Sequence, residues 1–169
     1  MSMERNPGET NSLVGRMIGA AMLDVATYEE VEHDTSATTQ AGLVVVLAAV
    51  AQGIASPAGV ISGVIGSLIG WLAMAGLTYF IGTRLFKGTA TWGELLRTLG
   101  FATAPGILYI VGIIPVLGWL ASLAIMIWVL VAVVIAIRQA LDVTTGKAVL
   151  TGLLGMIAWA VIVMAVPGI

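Results

Sequence analysis

The polar positions of this chain are bunched, and the gaps between them are long. No Asp, Glu, Lys or Arg occurs over 35–83, 98–137 or 148–169. A membrane-spanning helix needs about 20 predominantly apolar residues. These runs of 49, 40 and 22 residues therefore predict two, two and one crossings. Each double run carries a turn signal near its middle: Ser56-Pro57-Ala58-Gly59 in the first, Ile114-Pro115-Val116-Leu117-Gly118 in the second. Five helices are expected, near 36–55, 60–83, 98–113, 118–138 and 147–166.

Ahead of the crossings, polar residues 1–11 read as a disordered cytoplasmic tail. Val14, Ile18, Met22 and Val25 then recur at helical spacing, interrupted by Arg16 and Asp24. The stripe is too short to span, so 12–24 is expected to be an amphipathic helix in the membrane interface. Its alternative is a cap packed under the bundle. The polar stretch from Thr27 to Asp34 follows, with Asp34 placed to cap the next helix.

Two crossings carry local signals. On the second, Gly59, Gly63 and Ser67 form one row of small residues, and Ser62, Gly66 and Gly70 form a neighbouring row. Such rows let helix backbones approach in lipid, so they are helix-packing candidates, within the chain or across a dimer. Before the third crossing, Thr91-Trp92-Gly93-Glu94 has the form of a capping box. Pro105 inside the run removes a backbone donor and clashes with the preceding turn. A kink or break is expected at Ala104-Pro105-Gly106. Trp92 and Trp119 suit the two interfaces, while Trp71, Trp128 and Trp159 fall nearer mid-bilayer and are expected to pack.

Composition turns these runs into a membrane assignment. The chain of 169 residues is 59% hydrophobic and only 9% charged, against about 45–50% and about 25% in soluble domains. Mean hydropathy is +1.07. A globule this small cannot bury so much apolar surface, so the excess faces lipid. The predicted fold is all-α: a polytopic bundle of five transmembrane helices over 35–169, an N-terminal amphipathic interfacial helix with an acidic junction over 12–34, and the tail 1–11.

Charge sets the sidedness. With five crossings, all seven Lys and Arg fall on one side, which the positive-inside rule makes cytoplasmic. The N-terminus is expected inside and the C-terminus outside, in a multi-pass cell-membrane protein. The same side would form a partner surface: Tyr28, Glu29, Glu30, Glu32, His33, Arg84, Lys87, Glu94, Arg97, Arg138, Asp142 and Lys147. Net charge is −2, which argues against nucleic acid as a partner.

Little catalytic chemistry is available. The chain has no Cys and one His, His33. Glu30-x-x-His33 has the spacing of half a di-iron motif, but that site needs two such motifs. A metal held by Glu29, Glu32 and His33 across an oligomer is the alternative to a solvated polar junction, and the junction is the expectation. No nucleophile elbow, phosphate loop or zinc-protease motif occurs. No ionisable side chain lies within a membrane run, which weakens proton or ion pumping. Thr78, Thr103, Tyr109 and Ser122 could line a passive path. No enzymatic activity, cofactor or metal is expected.

The order of several short motifs resembles the Yip1 family, in its short bacterial members, from about Leu13 to Val166. The resemblance is carried by the amphipathic entry into Thr27-Tyr28-Glu29-Glu30, by Tyr79-Phe80-Ile81-Gly82 with Phe86-Lys87-Gly88, and by Gly93-Glu94-Leu95-Leu96-Arg97-Thr98-Leu99-Gly100-Phe101-Ala102 followed by Ala104-Pro105 and Pro115. Ile137-Arg138-Gln139-Ala140 and Thr145-Gly146-Lys147-Ala148 complete it. It implies a polytopic helical domain with a cytoplasmic N-terminus in a bacterial inner membrane. Eukaryotic relatives act in vesicle traffic, bind Rab-type GTPases and associate with one another. Their longer N-terminal region with an Asp-Leu-Tyr-Gly-Pro motif is missing here, and no catalytic residue carries over.

The leading functional expectation is therefore a non-enzymatic membrane scaffold, or an accessory subunit of a larger membrane complex, whose partners are other membrane proteins or itself. A passive channel for a small neutral solute through the broken third helix is one alternative. A membrane-shaping protein acting through 12–24 is another.

Overall fold

The computed structural model describes residues 12–56, 59–114 and 116–165. The expected tail 1–11, the turn residues Pro57, Ala58 and Pro115, and the C-terminal end from Val166 lie outside the described residues. Within them the chain is helical and contains no strand. Two short helices, α1 (Leu13–Ala21) and α2 (Val25–His33), precede the bundle. Then come α3 (Ala37–Ile54), α4 (Val60–Phe86), α5 (Trp92–Ala102) with a 3-10 helix over Ala104–Ile113, α6 (Leu117–Leu141) and α7 (Thr145–Ala165). Five helical stretches are long and apolar enough to cross a membrane, with α5 and the 3-10 helix together making the third, Trp92–Ile113. The protein is an integral, multi-pass membrane protein whose apolar faces contact the lipid bilayer.

The third crossing starts earlier than its apolar run. Its capping box forms: Glu94 N–H donates to Thr91 Oγ1 at 3.3 Å, and Thr91 N–H to Glu94 Oε2 at 2.8 Å. The helix therefore begins at Trp92 rather than near 98. Beyond Thr103 the chain changes helix type. Pro105 offers no N–H to the carbonyl four residues back, and its ring disfavours helical geometry at Ala104. Gly106 N–H turns instead to Thr103 O at 2.8 Å, which starts the 3-10 winding. Runs of this kind longer than three or four residues are uncommon. At about 2.0 Å per residue instead of about 1.5 Å, this one lengthens a short crossing by roughly 5 Å.

Small residues set the closest helix contacts. A side chain on Gly53 would meet the Val60 backbone at 2.7 Å, and one on Gly100 would meet Ala41 Cβ at 2.7 Å. These contacts bring α3 against both α4 and α5. The two small-residue rows of α4 divide. Gly63 lies toward α3, where an added Cβ would sit 3.6 Å from the Ala49 carbonyl. At Gly66 and Gly70 an added Cβ meets nothing within 4 Å, and Gly66 is exposed.

Alternation of the five crossings brings Asp34–Ser36, Lys87–Thr91 and Asp142–Thr144 to one end of the bundle. This is the charged end. Asp34 does not cap α3 directly. Its Oδ1 accepts from the N–H and hydroxyl of Ser36, at 2.9 and 2.6 Å, and Ser36 is the cap residue.

Candidate functional site

The stripe that predicts α1 also carries a cation, Arg16, and the structure turns that cation inward. Arg16 is 2% exposed, while Val14, Ile18 and Met22 are 63%, 55% and 69% exposed. Arg16 Nε donates to Glu30 Oε2 at 3.1 Å and Nη1 to Gln40 Oε1 at 2.9 Å. Its Nη2 donates to both Glu30 and Asp34. One planar guanidinium thus ties α1 to α2, to the turn after it and to the first turn of α3. Burial works against the charge of Arg16, but the hydrogen bonds and charges of Glu30 and Asp34 outweigh it and raise the pKa. The Ser36 hydroxyl first, then Arg16, hold the Asp34 carboxyl down to about 2.

The tip of this helix pair reaches deep. Trp128, midway along α6, donates its indole N–H to the Ala21 carbonyl at 2.7 Å. The end of α1 therefore lies beside a crossing rather than flat beneath the bundle. One face of α1 packs on the bundle, and the other is an exposed apolar stripe of Val14, Ile18 and Met22.

The stretch 27–34, expected as a polar junction, is mostly the helix α2, and it is partly internal. Tyr28 is fully buried and donates to the Ala20 carbonyl at 3.1 Å; burial pushes its phenol above the usual range. Arg97 is 6% exposed, and its Nε donates to the carbonyls of Val31 and Glu32 at 3.0 Å each. It fills two acceptors at the C-terminal end of α2, where a helix leaves carbonyls unpaired and favours positive charge. Glu32 is 7% exposed. Tyr28, Glu32 and Arg97 are thus removed from the expected partner surface, because the N-terminal helices pack on α5 and α6 and bury them. Arg84, Lys87, Arg138, Asp142, Lys147 and His33 remain exposed, with Glu29, Glu30 and Glu94 half-buried.

At the edge of this packing, Glu29, Glu32 and His33 converge. Their spacing puts them on one face of α2, and one ligand-type atom from each lies within 4.8 Å of the others. Gln139 of α6 donates to Glu29 Oε1. His33 Nδ1 lies 2.8 Å from the Glu29 carbonyl. A carbonyl only accepts, so Nδ1 carries the proton and Nε2 stays available. Glu32 Oε2 is buried without a hydrogen-bond partner. Burial, then the charge of Glu29, raise the Glu32 carboxyl to about 7, against the pull of His33.

Toward the far end the helices separate around a cavity of about 290 Å³, walled by α3, α4, the third crossing and α6. Trp71, Leu99, Thr103 and Gly106 are in its wall, with Gln52 and Tyr109 at one side. Gln52 and Tyr109 also line an open vestibule of about 680 Å³ near Ser56, Trp119 and Ser122. The two spaces thus adjoin at Gln52 and Tyr109. Beyond the inner one, toward the charged end, Phe101, Ala102, Ala136 and Ile137 are fully buried and fill the bundle. Of the expected path residues, Thr103, Tyr109 and Ser122 line these spaces. Thr78 does not: it is buried and returns its hydroxyl to the Met74 carbonyl at 2.7 Å.

Sequence reasoning missed Arg16, Gln40 and Gln139 as site residues. The available signal was a lone Arg inside an apolar stripe, since a cation there must be paired. No curated protein and no solved structure matches the chain. The family model for the Yip1 domain matches residues 13–167, from the first turn of α1 to beyond the end of α7. The chain belongs to the Yip1 family.

Proposed function

We propose that the protein is a non-enzymatic membrane interaction subunit that associates within the bilayer through the outer face of α4. The open glycine on this face, Gly66, supports this reading. On α4, Gly63 meets α3 and Gly70 lines the inner cavity, whereas Gly66 is exposed with nothing against it. Only 6% of the membrane stretch of α4 is buried, compared with 50% of the third crossing. Close backbone approach is a main source of helix association in lipid, and Gly66 offers it to another helix. The exposed Arg84, Lys87, Arg138 and Lys147 support a cytoplasmic charged end under the positive-inside rule, with these side chains facing soluble portions of a partner.

The chain contains no cysteine, so single-cysteine variants test the contact directly. Gly66→Cys is expected to crosslink, to a second copy or to a co-purifying membrane protein, in native membranes. Gly63→Cys, facing α3, is expected not to. Equal crosslinking at both positions, or a monomer without any partner in mild detergent, overturns the proposal.

A second reading, passive passage of a small neutral solute, draws on the vestibule and inner cavity with their Gln52 and Tyr109 lining. It requires the buried residues around Phe101 to move apart. Proteoliposome flux, compared with that of Gln52→Leu, tests it; absence of flux for every neutral solute tried counts against it.

A further inference from the structure

Glu32 presents a problem that the protein alone does not solve. Its carboxylate is more than nine-tenths buried, and Oε2 has no hydrogen-bond partner. A buried acceptor left unpaired costs free energy, more so when charged. Arg97 of α5 directs its Nε and Nη2 to the backbone carbonyls of Val31 and Glu32 at the end of α2. Arg16 is taken up by Glu30, Asp34 and Gln40. The carboxylates of Glu29, Glu94 and Asp142 add negative charge around Glu32, with only His33 of opposite sign among its main electrostatic neighbours.

We propose that Glu29, Glu32 and His33 bind a divalent first-row transition cation of the Zn2+ or Mn2+ type at the charged end of the bundle. The atoms are close to the needed span. Ligands at about 2.0–2.2 Å from one ion lie at most about 4.4 Å apart, and the three groups already fall within 4.8 Å of one another. The supporting groups match those of a metal centre. A ligating imidazole donates its other ring nitrogen to a backbone carbonyl, which fixes its tautomer; here Nδ1 faces the Glu29 carbonyl and leaves Nε2 for the ion. A ligating carboxylate is itself held by a hydrogen bond, and Gln139 holds Glu29. The imidazole selects for transition cations over Mg2+ and Ca2+, while the two carboxylates suit Zn2+ and Mn2+. Three protein ligands leave room for water or for a donor from another molecule. All three ligands lie on α2, and Gln139 of α6 connects the site to the bundle through its hydrogen bond to Glu29.

Calorimetric titration of tag-free full-length protein in nanodiscs with ZnCl2 and MnCl2 tests this. One ion per chain is expected, with little competition from Mg2+. His33→Ala and Glu32→Gln are each expected to weaken binding at least about tenfold, and thermal unfolding without metal checks that both variants fold. The exposed position of His33 makes its variant the cleaner one. No saturable binding of either ion below about 1 mM overturns the proposal. Affinity unchanged in both variants, or equal competition from Mg2+, overturns it too, because the ion then sits on an ordinary acidic surface.

Discussion

Replacing Arg16 with Met is the sharpest test of how the N-terminal helices are held. Methionine keeps most of the length and apolar contact of the stem and removes the guanidinium. Three acceptors then lose their donor at once: Glu30, Asp34 and Gln40. Removing one partner from a buried ion pair costs about 3–5 kcal/mol. The Glu30 and Asp34 side chains are each 31% exposed, so water recovers part of that loss. The expected cost is about 3 kcal/mol, or roughly a hundredfold in an equilibrium constant. It falls on local opening rather than on the whole bundle, because Arg16 joins only α1, α2 and the start of α3. Hydrogen exchange read by mass spectrometry in nanodiscs is the assay. Amides of α1 are expected to exchange on the order of a hundred times faster in Arg16→Met, while those of α4 and α7 stay as they were. Arg16→Lys is expected to fall between, since a point-like ammonium cannot serve three acceptors in a fixed fork. Unchanged protection of α1 would refute the reasoning, and so would uniform acceleration throughout the crossings.

Stability is expected to depend on pH in two opposite ways. Asp34 is held near 2 in the folded state, so its contribution is present above about pH 4 and is lost as pH falls toward 2; Asp34→Asn removes that slope. Glu32 is raised to about 7, so its contribution is present below about pH 4.5 and is lost as pH rises to about 7. In metal-free buffer, Glu32→Gln is expected to flatten that limb of a thermal-unfolding profile and to raise Tm at pH 8. Gly100→Leu places a side chain where even a Cβ would lie 2.7 Å from Ala41 Cβ, and it is expected to lower Tm strongly; Gly66→Leu meets nothing within its own chain and is expected to leave the Tm of the detergent-separated monomer within about two degrees of wild type while weakening association. Ile18→Glu sets a charge in the exposed apolar stripe of α1, so the N-terminal helices should be cut by protease faster in liposomes than in wild type, and equal cutting would show that this stripe does not meet lipid.

The five crossings were legible because the bilayer imposes a length and excludes charge, and both leave marks in one dimension. The gaps over 35–83, 98–137 and 148–169 place the helices to within a few residues at most ends. The exception is the start of the third crossing, where Glu94 and Arg97 masked the first turns of a helix whose capping box was nevertheless plain. The 3-10 winding after Pro105 was legible only as a break. A proline tells that α-geometry stops, but the winding that follows depends on how far the remaining residues must reach. The charged end was the least legible part, because a residue's charge does not say which way it faces. Arg16 interrupts the apolar stripe of Val14, Ile18 and Met22, and periodicity left open whether that stripe faces the membrane or the bundle; it is the cation that is buried and the stripe that looks out. For a soluble protein that arrangement would be inverted. Inward lie the carboxylates of Glu30 and Asp34 and the Gln40 amide oxygen, so a cation beside a bilayer is best placed inside. The same logic draws in Arg97 and Glu32. A chain with so few charges that still buries three has committed them to joining helices. Of these three, Glu32 alone keeps an unpaired atom, Oε2, and so it is the place to look for something bound.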